Sequence, residues 1–160
     1  MIKPPSLTRE MTWIWSGDPA LDSPPDDAPD DAKEAWAQRL KLARETGQWD
    51  GLFKAGQAPT RFTVRHIPGT HWRALMDSFT GGKIGPSTVT ALSVRLALRG
   101  VQNLADIDGK EIKVEFAQVE GLGKIARQDV IDVLDAFTPQ IVVELSDFIT
   151  DRQNSPGPLS

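Results

Sequence analysis

The sequence predicts an α+β protein: a helix-dominated small domain with a few antiparallel strands, preceded by an extended, acidic, proline-rich N-terminal arm. Three observations lead there. Apolar residues recur at helical spacing through much of the chain after residue 30. Two stretches, 60–66 and 111–116, alternate apolar and polar residues with the period of a strand. Six of the twelve prolines fall within the first 29 residues, and residues 18–34 hold seven acids against one base, Lys33. The expected organisation is an arm over 1–29, a surface helix and loop over 30–58, an α+β body over 59–152 and a loose tail over 153–160.

The arm is too acidic and proline-rich to bury enough apolar surface to fold alone. Within it, Met11-Thr12-Trp13-Ile14-Trp15 places two indoles on one side of an extended segment. Trp13 and Trp15 are either a strand packed on the chain's own core or anchors for a partner, since tryptophan is enriched at binding hot spots. A helix is expected over 30–46. Pro29 suits its first turn, Asp30, Asp31 and Glu34 favour its positive end, and Gly47 stops it. Trp36, Leu40 and Ala43 form one narrow apolar stripe, so this helix lies on a surface.

After a loop over 47–59, Phe62, Val64 and His66 face one way and Arg61, Thr63 and Arg65 the other, which marks a half-buried strand. Thr70 is a fair N-cap for a short helix carrying Trp72, Leu75, Met76 and Phe79. Pro86 opens the next helix, expected to run to Arg99. It is apolar nearly all round and therefore central. Asp106 to Gly109 is a turn, and the strand after it alternates Ile112, Val114 and Phe116 with charged residues. A helix from Ile125 or Ala126 to Phe137 follows. Thr138 then caps a last helix with Pro139 in its first turn and Ile141, Leu145, Phe148 and Ile149 on one face.

Composition and motifs exclude more than they establish. No apolar run approaches the ~18 residues that span a bilayer, so no membrane contact of that kind is expected. Pro4 and Pro5 stand where a signal peptide needs an apolar stretch. The absence of cysteine removes disulfides, thiolate zinc sites and cysteine nucleophiles. A net charge of −4 argues against a dedicated nucleic-acid binder.

Gly121-Leu122-Gly123-Lys124-Ile125-Ala126, with Glu144 downstream, imitates a dinucleotide fingerprint. Its strand reads as solvated rather than buried, and too little chain follows for the remaining strands, so the glycines are expected to make a strand-to-helix turn. Gly82-Lys83 lacks the hydroxyl and first glycine of a phosphate loop, and Leu104 stands where a calcium loop needs a carboxylate. His66 and His71, the only histidines, span a strand end and a helix start without a third ligand. No catalytic, cofactor-binding or metal-binding residue is therefore assigned, and the chain is expected not to be an enzyme.

Arg61, Arg65, Arg73, Arg95 and Arg99 cluster mid-chain, opposite in sign to the arm. The simplest reading is an acidic arm, with Asp26, Asp27, Asp30 and Asp31, lying on its own or a neighbour's basic body near Arg61 and Arg65. The other reading is a small regulatory module that binds DNA through the arginine-bearing helices 70–79 and 86–99.

Pro59-Thr60-Arg61-Phe62 through Gly109-Lys110-Glu111, then Gly121-Leu122-Gly123 and Val143-Glu144-Leu145-Ser146-Asp147-Phe148-Ile149, resembles small proteins of tailed bacteriophages, such as tail-assembly chaperones and minor virion components. The resemblance covers about 90 of the 160 residues and rests on texture. It implies a non-enzymatic structural or assembly protein of the virion or the host cytoplasm, with no cofactor. Its partners would be other phage structural proteins, or further copies of itself in a homo-oligomer. On that reading Trp13, Trp15, Asp26, Asp27, Asp30, Asp31, Arg61 and Arg65 make the partner contacts.

Overall fold

The computed structural model describes residues 10–105, 108–120 and 123–154. The first nine residues of the arm, Asp106 and Ile107 of the expected turn, Gly121 and Leu122 of the glycine string, and the tail from 155 lie outside the described residues.

Alternation builds the main sheet. In β2 (Arg61–Arg65), Phe62 and Val64 are buried while Arg61, Thr63 and Arg65 face away from the core. β1 (Glu10–Trp13) pairs antiparallel with one side of β2, setting Trp13 opposite Phe62 and Met11 opposite Val64. The two rings meet edge to face, with centroids 5.5 Å apart. β3 (Leu98–Gln102) pairs antiparallel with the other side of β2, through a register shift at Thr63/Val64. The sheet order is β1-β2-β3.

Helices supply the rest of the core. α1 (Asp30–Thr46) lies where the sequence places it, buries Leu40 and Ala43, and ends at Gly47 in the left-handed region, φ 76°. α2 (Gly69–Thr80) buries Trp72 and Leu75. Pro68 rather than Thr70 is its N-cap residue, so the helix starts two residues earlier than the hydroxyl suggests. α3 (Pro86–Ala97), α4 (Gln128–Phe137) and α5 (Pro139–Asn154) bring Val94, Ala97, Val130, Leu134, Leu145 and Ile149 against the inner sheet face. Ser93 of α3 and Ser146 of α5 share a buried hydrogen bond of 2.9 Å. Both are small enough to let the two helix backbones approach there. The result is the expected α+β architecture.

Four details differ from the sequence reading. Residues 10–21 are not an extended arm. β1 completes the sheet, and Ile14 and Leu21 join Leu40, Ala43, Trp49 and Leu52 in a second apolar cluster beneath α1. Of the two readings of this segment, the strand packed on the chain's own core is the one found for Trp13, in a strand of sequence Glu-Met-Thr-Trp. The expected helix 86–99 stops at Ala97, and Leu98 turns extended (ψ 128°) because pairing with β2 competes with helix propagation. Arg99 then donates to the carbonyls of Leu96 and Leu98 at 2.6 and 3.3 Å, occupying acceptors the helix end leaves open. Of the strand expected over 111–116, Glu111 makes a single antiparallel bridge to Ala105, and continuous pairing starts only at Phe116, in β4 (Phe116–Val119). Gly123 opens a strand rather than a helix. β5 (Gly123–Ala126) pairs back on β4, and the carbonyl of its buried Ala126 takes a 3.0 Å bond from Arg95 Nε.

Candidate functional site

The two tryptophans have separate fates. Trp13 is fully buried, and the Arg44 guanidinium lies 4.7 Å from its ring centroid. It is a core residue, so its assignment as a partner anchor is corrected: no part of the indole is left to offer. Trp15 lies beyond the end of β1 and is half-buried. With Pro19, Ala20, Leu104, Phe137 and Ile141 it walls a cavity of about 400 Å³. Phe137, at the mouth, is 43% exposed. Gly17 beneath the Trp15 ring has no room for a side chain, since an added Cβ would sit 2.5 Å from Trp15 Cζ2. Asp18, also on the cavity wall, is buried and already engaged: its two oxygens accept the N–H groups of Ala20 and Thr60, each at 2.9 Å. That carboxylate fastens the 16–20 turn to the start of β2.

Arg44 and Glu144 form the most connected polar node. Arg44 Nη2 donates to the Ile14 carbonyl at 2.6 Å and to Glu144 Oε1 at 2.5 Å. Glu144 also accepts from the Ser16 N–H at 2.9 Å and from its hydroxyl at 2.6 Å. Burial pushes the Arg44 guanidinium below its usual value, and the bond and charge of Glu144 pull it back. Three distant segments are thereby joined: the end of β1, α1 and α5. The acid that imitates a ribose ligand is thus committed to an arginine and a serine of its own chain.

The charged surfaces are laid out differently from the first reading. Asp26, Asp27, Asp30 and Asp31 are exposed, the first pair in the turn before α1 and the second in its first helical turn. Among the described residues none of the four joins an ion pair. Lys33 reaches back only to the Asp26 carbonyl. Arg61 and Arg65 lie on the outward sheet face, half-buried. Arg61 stacks over Phe53 at 5.7 Å, and Arg65 Nη2 meets Glu10 across the strands at 3.3 Å. Arg65 Nε is buried without a partner. Burial lowers the Arg99 guanidinium, the Arg65 charge lowers it further, and Glu10 opposes both. The structure therefore does not bring the acidic segment onto its own arginines.

His66 is half-buried, and burial followed by the Arg152 charge holds its imidazole below the usual histidine value. Next to it, the Gln153 amide clamps the end of α5 to the sheet. It accepts from the Ile67 N–H at 2.7 Å and donates to the Ile67 carbonyl at 3.1 Å. Among the described residues no three His, Asp or Glu side chains are grouped as metal ligands would be. Of the arginines on 70–79 and 86–99, Arg95 and Arg99 donate to backbone carbonyls while half-buried, and Arg73, which is exposed, reaches the Gly69 carbonyl at 3.5 Å.

Sequence reasoning missed Arg44, Glu144, Ser16, Asp18 and Gln153 as organising residues. Only Asp18, an acid before Pro19 at a turn, carried a local signal. No family model, no curated protein and no solved structure matches the chain.

Proposed function

We propose that this chain is a non-enzymatic structural or assembly protein of a tailed bacteriophage, acting through protein–protein contacts in the virion or the host cytoplasm. The observation that carries the reading is the charge layout. Four exposed aspartates, Asp26, Asp27, Asp30 and Asp31, stand apart from the outward arginines Arg61 and Arg65, and neither group neutralises the other in the same chain. Charges of opposite sign that do not pair with each other in the same chain steer a partner and fix its orientation more than they hold a fold together. The phage setting comes from the resemblance in the stretches 59–111 and 143–149. Trp15, with indole surface still accessible, stays among the contact residues, and Trp13 leaves them.

The test is quantitative mass spectrometry on gradient-purified particles and on infected cells from the source of this sequence. Stoichiometric copies in the particle support a virion component. Abundance in infected cells without incorporation supports an assembly factor. A source that makes no particles overturns the reading.

A further inference from the structure

The outward face of the three-stranded sheet is short of negative charge. Arg61 and Arg65 project from one strand, and Arg99 lies near enough for the Arg65 charge to act on it. Of Arg61 and Arg65, only Arg65 is paired with an acid, Glu10, among the described residues. The buried Nε of Arg65 has no acceptor.

The chain itself holds a suitable acceptor group. Asp26, Asp27, Asp30 and Asp31 crowd into one turn and the helical turn after it, exposed and outside any ion pair among the described residues. We propose that the sheet face of Arg61 and Arg65 receives the acidic segment 26–31 of a second copy of this chain. The inference rests on the reading that the protein works through partner contacts, and it names the partner. Each copy carries both surfaces, so the contact closes reciprocally as a dimer or continues head to tail.

A nucleic-acid phosphate backbone fits the same arginines less well. Asp22 hydrogen-bonds to Leu52 at 2.9 Å, Leu21 pairs with Phe53, and Arg61 stacks on Phe53. The chain leading into the acidic segment therefore runs past the basic face, and its Asp22 disfavours a polyanion there. A second copy brings its own arginines to meet those acids.

Sedimentation equilibrium on the full chain, over a concentration series at about 0.05 M and about 0.5 M salt, reads the contact through screening. The expected result is self-association at low salt, with a dissociation constant at least about tenfold weaker at high salt. Arg61→Glu with Arg65→Glu should be monomeric. So should a variant with Asp26, Asp27, Asp30 and Asp31 all changed to Lys. Mixing the two should restore association, because each then offers the charge the other needs. The wild-type salt series needs no variant to fold, and circular dichroism checks the variants.

A wild-type monomer at every concentration overturns the inference. So does association indifferent to salt, or duplex DNA bound through Arg61 and Arg65 without self-association. A monomer that is nonetheless a stoichiometric particle component sinks this inference alone. A salt-sensitive oligomer from a source without particles sinks only the phage reading.

Discussion

Trp13 and Trp15 are two residues apart and differ in what their loss should do. Trp13→Ala removes a fully buried indole from the Phe62 contact and from beneath Arg44. It should lower stability by about 3–5 kcal/mol, read as a shift in the urea midpoint. Trp15→Ala should leave a cooperatively folded protein and weaken partner binding, because that ring is half-exposed at a cavity wall. Equal destabilisation by both would return the second indole to the core. For Arg44 and Glu144, a double-mutant cycle to Ala should show coupling of about 0.5–3 kcal/mol; additive losses would mean that the bond contributes only through its separate partners. His66 sets a pH dependence. Its folded value is depressed, so the unfolded chain binds the proton first. Stability should therefore fall as pH drops below about 6.5 and level off once the folded state is also protonated. Urea midpoints between pH 8 and 5 should flatten in His66→Gln, and an unchanged slope would contradict the cause assigned here.

At the scale of elements, the segment from Glu10 to Leu21 decides between the two readings of Trp13 and Trp15, since it supplies a sheet strand and part of the second apolar cluster. Deleting residues 1–15 should abolish cooperative unfolding, whereas a true arm could be removed with the body intact; calorimetry separates the two. The helix 30–46 was legible because its signals are local: acids at one end, Gly47 at the other, and a stripe of Trp36, Leu40 and Ala43. β3 and β5 were not legible. Leu98 to Gln102 becomes a strand only because Phe62 and Val64 wait across the sheet, and Ile125 and Ala126 only because β4 pairs with them. The Arg44–Glu144 bond joins positions 100 residues apart. No window of sequence contains such a pair, whereas the Trp36 stripe and the Phe62/Val64 alternation each fit inside one.

Across the whole molecule, a net charge of −4 conceals an uneven distribution. Acids gather before and at the start of α1, and Arg61 and Arg65 stand on the outward sheet face. The candidate contact residues were legible as charges in the sequence. Which of them remain free in the folded chain was not, because that depends on how β1 and α1 are laid over the body. No helix among the described residues is long and apolar enough to cross a membrane. The surface on which the proposed function rests is the one formed by these charges and by Trp15. The most direct test is to replace Asp26, Asp27, Asp30 and Asp31 by Asn in the source genome. Copies of the protein are then counted in purified particles by mass spectrometry, or, if it is not incorporated, in its complexes from infected cells. The expected result is a folded variant that is lost from particle or complex; incorporation at the wild-type level would contradict the claim that these charges make the contact.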